Sequence, residues 1–274
     1  MFIAQQLHEG IEVNGEPTGL STYMRTESVR ISKDAPVAIR GHIKAEYGDD
    51  YIPKNPRFFK STKKNVQDAH ECIRPTRFDL SPEKIKHFLN REQYNVYKLI
   101  WNKFAASQMT PAQYINKTLD ISADKYLFRA KGKVLKFDGY LRVWGAKDNS
   151  QNPIPAKIAE KDLLNLLKLE TEQKFTNPPA RFTDGTLVKE LDALGIGRPS
   201  TYATIISTIT QRKYIEKEAG KLKPTDLGKT VNKILVSGMP EIFNVEFTGK
   251  MEEELDEVES NKKDWQEVMD EFYS

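Results

Sequence analysis

The chain has 274 residues, with 42 Lys and Arg against 39 Asp and Glu for a formal charge of +3, a single cysteine, and 38% hydrophobic residues. One cysteine excludes an internally disulfide-stapled scaffold. The lack of an apolar run of about 18 residues excludes a membrane-spanning helix, and 10% aromatic residues exclude a disordered tail. The start, Met1–Gly10, has no basic segment or long apolar stretch, so no signal peptide is read there. The length suggests roughly two domains.

In chain order, Leu20–Thr26 reads as a short strand. Ser32 is expected to cap a helix in which Ala35, Ile39, Ile43 and Tyr47 recur every four residues and Gly48 closes the last turn. Ser81-Pro82 opens another helix, with proline at the first helical position. Asn90 caps a third, carrying Tyr94, Tyr97, Ile100, Trp101 and Phe104. From Thr110 to Lys174 the pattern is strand-like. Leu119 and Ile121 alternate with polar neighbours, as do Phe128 and Ala130, and Gly132 stands where a hairpin turn is expected. After the breaker Asn177-Pro178-Pro179, a helix with Leu187, Val188, Leu191 and Leu194 leads to the turn Gly195-Ile196-Gly197. Pro199 is expected to begin a second helix, with Tyr202, Ile205, Ile206 and Ile209, before a hairpin turning at Gly220. Helix, glycine turn, helix and basic hairpin describe a winged helix-turn-helix, a common nucleic-acid binder. A structural helical hairpin is the alternative.

The small net charge hides an asymmetry. Residues 1–250 carry 40 basic and 29 acidic groups, a net of +11, whereas the final 24 carry 2 and 10, a net of −8. A basic body suits a polyanion such as nucleic acid, although a solubilising lysine surface has the same composition. In the acidic end, Leu255, Val258, Trp265, Val268, Met269 and Phe272 are spaced for an amphipathic helix or two short ones. That end is expected to pack facing away from any nucleic-acid groove.

Three clusters have chemical potential. On a strand, Tyr23 and Arg25 would project together, with Ser21 beside them. A phenol is a poor nucleophile near neutral pH because it ionises at about 10. A guanidinium neighbour favours the phenolate and binds a phosphate oxygen, which suits attack on a phosphodiester. Most of the eleven tyrosines are nevertheless packing residues. In His70-Glu71-Cys72-Ile73-Arg74-Pro75-Thr76, His70 could donate to a phosphate or move a proton, or simply order a loop. No Cys or His pair follows to complete a zinc set. In Gly195–Tyr202, glycines and a helix start favour phosphate, Arg198 adds charge, Ser200 and Thr201 add hydroxyls, and Tyr202 could stack or pack. Gly228-Lys229-Thr230 mimics the end of a P-loop, but Lys223 stands where the first glycine belongs. Glu252-Glu253-Glu254 reads as a solvated helix face rather than a metal site.

Thr22-Tyr23-Met24-Arg25-Thr26-Glu27-Ser28, Ala69–Thr76, Asn177–Thr183 and Gly195–Ala203 occur in this order. In combination they resemble the bacterial type IA DNA topoisomerase I family over essentially the whole chain. Two departures are Glu27, where the family commonly has Asp, and Cys72, where it commonly has Ala. The resemblance implies that Tyr23 is the nucleophile, forming a 5′-phosphotyrosine link in single-stranded DNA and leaving a 3′-hydroxyl. Strand passage and religation then relax negative supercoils without ATP. It implies that Arg25 helps hold the scissile phosphate and activate the tyrosine, and that His70 contacts DNA phosphate. Arg74, Arg198, Ser200, Thr201 and Tyr202 are expected at the DNA.

The implied fold is multidomain α+β: mainly helical, winged-helix-like domains joined by a β-rich arch, part of a torus. Residues 1–109 would be the tyrosine-bearing domain, 110–176 the arch segment and 177–274 the groove domain. The family's Toprim domain, with its Mg2+ site, and its C-terminal repeats are not in this sequence. The chain therefore reads as a central fragment, inactive alone and without a metal of its own. A monomeric, cytoplasmic, nucleoid-associated enzyme is implied. A non-catalytic winged-helix protein leaves the tyrosine and histidine motifs unexplained, and a tyrosine recombinase would carry its tyrosine near the C-terminus.

Overall fold

The structure is a computed structural model describing residues 1–26, 28–60, 70–145, 154 and 157–273. Glu27 and Ala69 lie outside the described residues. The chain forms two compact units, Met1–Glu170 and Thr171–Ser274. The expected boundary near 176 and this division both fall in a stretch without regular secondary structure.

In the first unit, α1 (Phe2–Glu9) leads into an antiparallel pair, β1 (Ile11–Val13) and β2 (Glu16–Thr18). Asn14 and Gly15 turn that hairpin with φ of 55° and 83°, the left-handed pair that a tight two-residue hairpin requires. Helix α2 (Asp34–Tyr47) buries Ala35, Ile39 and Ile43, and Gly48 at φ 96° ends it with its N–H on the Lys44 carbonyl. Ser32 is not its cap: Lys33 occupies that position without a side-chain bond. Glu71 takes the Ser32 N–H, and the Ser32 hydroxyl meets Arg74. The short α3 (Pro82–Ile85) starts on proline, as expected.

Helix α4 (Arg91–Ser107) opens with a full capping box between Asn90 and Gln93. Its inner face contributes Tyr97, Trp101 and Phe104 to a core with Leu7, Leu20, Ile39, Ile43, Ile85 and Met109. The fully buried Tyr97 donates its hydroxyl to the Leu80 carbonyl at 2.6 Å, and burial drives its ionisation well above the ordinary tyrosine range.

A long antiparallel hairpin follows, β3 (Gln113–Ala123) and β4 (Tyr126–Phe137). Its turn is not at Gly132, which sits inside β4 opposite Lys117. The chain reverses between Ala123 and Tyr126, where Asp124 adopts φ 51°. A short acidic residue tolerates that conformation and replaces the expected glycine. The base of the hairpin is tied down by Tyr51, whose hydroxyl donates to Asp138 at 2.7 Å. Gly139 lies so close to Thr110 and Pro111 that a Cβ would stand 2.4 Å from the Thr110 carbonyl oxygen. Helix α5 (Leu141–Trp144) closes this part.

In the second unit, α6 (Asp184–Ala193) is capped by Thr183 with Thr186 in a reciprocal box. After the glycine turn comes α7 (Tyr202–Gln211), starting three residues beyond Pro199. The segment Arg198–Thr201 is instead a tight turn, because Thr201 Oγ1 accepts the Arg198 N–H and the Arg198 carbonyl accepts from Thr201 and Tyr202. Strands β5 (Ile215–Glu218) and β6 (Lys221–Pro224) pair across Ala219-Gly220, as expected. Helix α8 (Asp226–Gly238) follows, capped by Thr225. Gly228 belongs to its first turn and presses on Tyr214, where a Cβ would meet the carbonyl oxygen at 2.1 Å. This glycine is required by packing. The acidic end forms two helices, α9 (Val245–Glu259) and α10 (Trp265–Tyr273). No helix among the described residues is long and apolar enough to cross a membrane.

Candidate nucleophile site and nucleic-acid interface

The Tyr23 segment is not a strand. Only Ser21 makes a bridge, to Pro75, and a proline has no N–H with which to extend a ladder. The segment is held instead from two sides. On one, the Leu7 carbonyl at the end of α1 accepts from Leu20 N at 2.7 Å and Ser21 N at 3.3 Å. On the other, Thr22 N donates to the Arg74 carbonyl at 3.0 Å, and Thr76 N to the Leu20 carbonyl at 3.2 Å. The Thr22 hydroxyl donates to the Cys72 carbonyl at 2.7 Å and accepts the Arg74 N–H at 2.9 Å. Thr22 is thus the stitch that joins the two sequence motifs, a role its place beside Tyr23 did not disclose.

The half-buried Tyr23 ring contacts two imidazoles. His70 is 4.7 Å away between centroids and tilted by 41°; His8 is 5.5 Å away and edge-on at 68°. The structure brings Tyr23 and His70 together, two residues that the resemblance assigned to one site, and adds His8, for which the sequence carries no signal. Among the described residues the Tyr23 hydroxyl makes no hydrogen bond. Arg25 is exposed, and no hydrogen bond or ion pair joins it to Tyr23.

Arg74 is turned inward. Its Nε donates to Glu71 at 2.7 Å, Nη1 to the Pro75 carbonyl at 2.9 Å and Nη2 to the Ser32 hydroxyl at 3.4 Å, leaving the side chain 13% exposed. Burial acts to raise the Glu71 ionisation. The hydrogen bond and charge of Arg74, with the Ser32 N–H, outweigh it and hold the carboxyl below its ordinary value. Burial pushes the Cys72 thiol up.

In the second unit, Gly195 and Gly197 take φ of 71° and 77°. A Cβ on Gly197 would stand 3.1 Å from both Ile205 and Thr201. Its N–H donates to Glu252 Oε1 at 3.0 Å. Arg198 brackets the turn, donating to the Gly197 and Gly195 carbonyls at 2.7 and 3.2 Å, to the Glu252 carbonyl at 3.2 Å and to Asp256 at 2.8 Å. The acidic helix α9 consequently lies on the glycine motif, and Glu252 is ion-paired rather than part of a solvated face. Opposite charge draws the two together. Tyr202 packs with its hydroxyl on Asp192 at 3.1 Å. Ser200 and Thr201 are exposed at the entry to α7.

A half-buried tyrosine in contact with two imidazoles describes, in the first unit, a candidate nucleophile site. The chain belongs to the DNA topoisomerase family, whose sequence profile matches residues 1–270. DNA topoisomerase 1 of Rickettsia bellii is 39% identical over 280 residues, covering 100% of this chain and 35% of that protein. DNA topoisomerase 1 of Vibrio cholerae is 40% identical over 274 residues, covering 100% of this chain and 30% of that protein. The structure of full-length topoisomerase I from Thermotoga maritima superposes with a TM-score of 0.81 at 36% identity, covering 100% of this chain and 44% of that one. The chain thus spans about a third of the length of these curated relatives and under half of the solved one.

Proposed function

We propose that this chain is the tyrosine-bearing and groove-forming part of a bacterial type IA DNA topoisomerase that relaxes negatively supercoiled DNA without ATP. The observation that carries the reading is Tyr23, in tilted contact with His70 and with its hydroxyl uncommitted among the described residues. The phenolic oxygen attacks a backbone phosphorus of single-stranded DNA. A new O–P bond forms, the bond to the 3′ oxygen breaks, and that oxygen leaves as a 3′-hydroxyl. The phosphotyrosine ester keeps the bond energy, so the hydroxyl reverses the step after another strand has passed. Arg25, exposed beside the tyrosine, holds the scissile phosphate, and His70 contacts a phosphate oxygen.

In the second unit, Ser200 donates to the DNA backbone at the start of α7, the positive end of its dipole, and Thr201, whose hydroxyl donates to the Arg198 carbonyl at 3.1 Å, shapes that start. Arg74, Arg198 and Tyr202 serve DNA binding from behind, by holding the loops that present these groups. We read α6, α7, β5 and β6 as a winged-helix-like element and the β3–β4 hairpin as part of the arch of a torus. Residues 1–109, 110–176 and 177–274 are the corresponding domains. The protein acts on single strands, as a monomer, in the nucleoid.

The family's magnesium does not fit the described residues. No group of three His, Cys, Asp or Glu side chains is placed to hold an ion, and Glu252 and Asp256 are engaged by Arg198. We place that ion elsewhere in the longer protein. The test is a denaturing gel of full-length protein trapped on a labelled oligonucleotide. Tyr23→Phe is expected to keep DNA binding and abolish the covalent adduct. An adduct that persists overturns the assignment.

A further inference from the structure

We propose that His8 is a positioning residue for Tyr23, an inference that rests on Tyr23 being the nucleophile. His8 is the next-to-last residue of α1, and it reaches the tyrosine segment in two ways. Its Nδ1 lies 3.1 Å from the Ser21 carbonyl oxygen. A carbonyl only accepts, so Nδ1 carries the proton and donates. Its ring then stands edge-on to Tyr23, which His70 also contacts.

The approach is built into the backbone. A Cβ on Gly19 would come within 2.9 Å of the His8 carbonyl oxygen, so a glycine there lets the segment run close along the end of α1. Beside it the Leu7 carbonyl accepts both Leu20 N and Ser21 N. His8 therefore fixes the peptide two residues before the nucleophile and, together with His70, limits the swing of the phenol ring. In-line attack needs the phenolic oxygen within a few tenths of an ångström of its productive position. Without His8 the ring loses one of its two imidazole neighbours and the Ser21 carbonyl loses its side-chain donor, while no group assigned to DNA binding under the proposed function is removed.

The experiment uses full-length protein and a labelled single-stranded oligonucleotide, measuring its dissociation constant and the rate of covalent adduct formation separately. His8→Ala is expected to leave the dissociation constant within about twofold and slow cleavage about tenfold or more. His8→Asn places an amide N–H where Nδ1 stood and is expected to recover most of the rate. His8→Phe keeps a ring without the donor and is expected to recover less. The proposal is overturned by an unchanged cleavage rate in His8→Ala, by equal losses in binding and cleavage, or by failure of Asn to rescue a variant that melts like the parent. A slow His8→Ala that melts early and regains its rate on cooling also overturns it, as general destabilisation. Tyr23→Phe in the same assay separates the two readings. An adduct in that variant defeats the nucleophile assignment, whereas no adduct there with a fast His8→Ala defeats only the role of His8.

Discussion

At the scale of single residues, the candidate site is organised by side chains whose obvious chemistry is used internally. Arg74 is the clearest case: its guanidinium serves Glu71, Pro75 and Ser32. Because the Glu71 carboxyl ionises below its ordinary value of 4.5 in the folded protein, it contributes stability that is present above that pH. That contribution is lost as the pH falls through the lower folded value. Glu71→Gln should therefore destabilise the first unit by about 1 kcal/mol at pH 7, with the difference from the parent vanishing in acid. Thermal melts at pH 7 and pH 3 check this, and an equal deficit at both would refute it. Cys72 gives a second residue-level expectation. Its raised thiol ionisation should make it alkylate with iodoacetamide at pH 7.5 several-fold more slowly in the folded chain than in urea, as read by mass spectrometry.

At the scale of elements, the pairing of α9 with the glycine turn sets the geometry of the α7 entry. Glu252→Ala removes the acceptor of the Gly197 N–H and one carboxylate facing Arg198. Both partners are about 30% exposed, so solvent screening limits the loss to about 1–2 kcal/mol. Urea unfolding of the isolated chain should register this in the second unit, and Glu252→Gln, which keeps an acceptor, should lose less. Much of the element list was legible. Asn90 and the spacing of Tyr97, Trp101 and Phe104 announce α4, and the glycine turn and Gly220 hairpin announce the second unit. What was not legible depended on distant partners. Nothing near Arg198 in sequence signals Glu252 and Asp256, more than fifty residues on. The stretch Leu20–Thr26 has strand composition, but a helix end and a proline supply its partners, so no ladder forms. His8 carries no local pattern at all. The hairpin turn was misplaced because Asp124 accepts a conformation that the eye assigns to glycine.

At the scale of the whole molecule, the units differ in how much they bury. The first has a continuous core from Leu7 to Val143. In the second, Ile206 and Leu222 are the buried apolar side chains among the described residues, at 9% and 7% exposure, while Ile234 and Trp265 remain 64% and 60% exposed. Amide exchange should accordingly be faster throughout 184–259 than in α4, and equal protection would contradict this. Lys168 and Lys174 lie in the exposed stretch without regular structure and should be the first tryptic sites. Under the proposed function, the chain alone should bind single-stranded oligonucleotides weakly and leave supercoiled plasmid unrelaxed. Magnesium-dependent relaxation by the chain alone would sink that expectation.

The Leu7 carbonyl has a consequence for how the site tolerates change. It is a main-chain oxygen, so no substitution at position 7 can delete it; only moving α1 can. That helix in turn meets α4, where Gln93 donates to Gln6 at 3.2 Å. Mutational drift can rewrite the side chains around Tyr23 and leave this anchorage in place, whereas a small tilt of one helix shifts it at once. This part of the tyrosine's address is written in the backbone of α1, where alanine scanning would pass over it in silence.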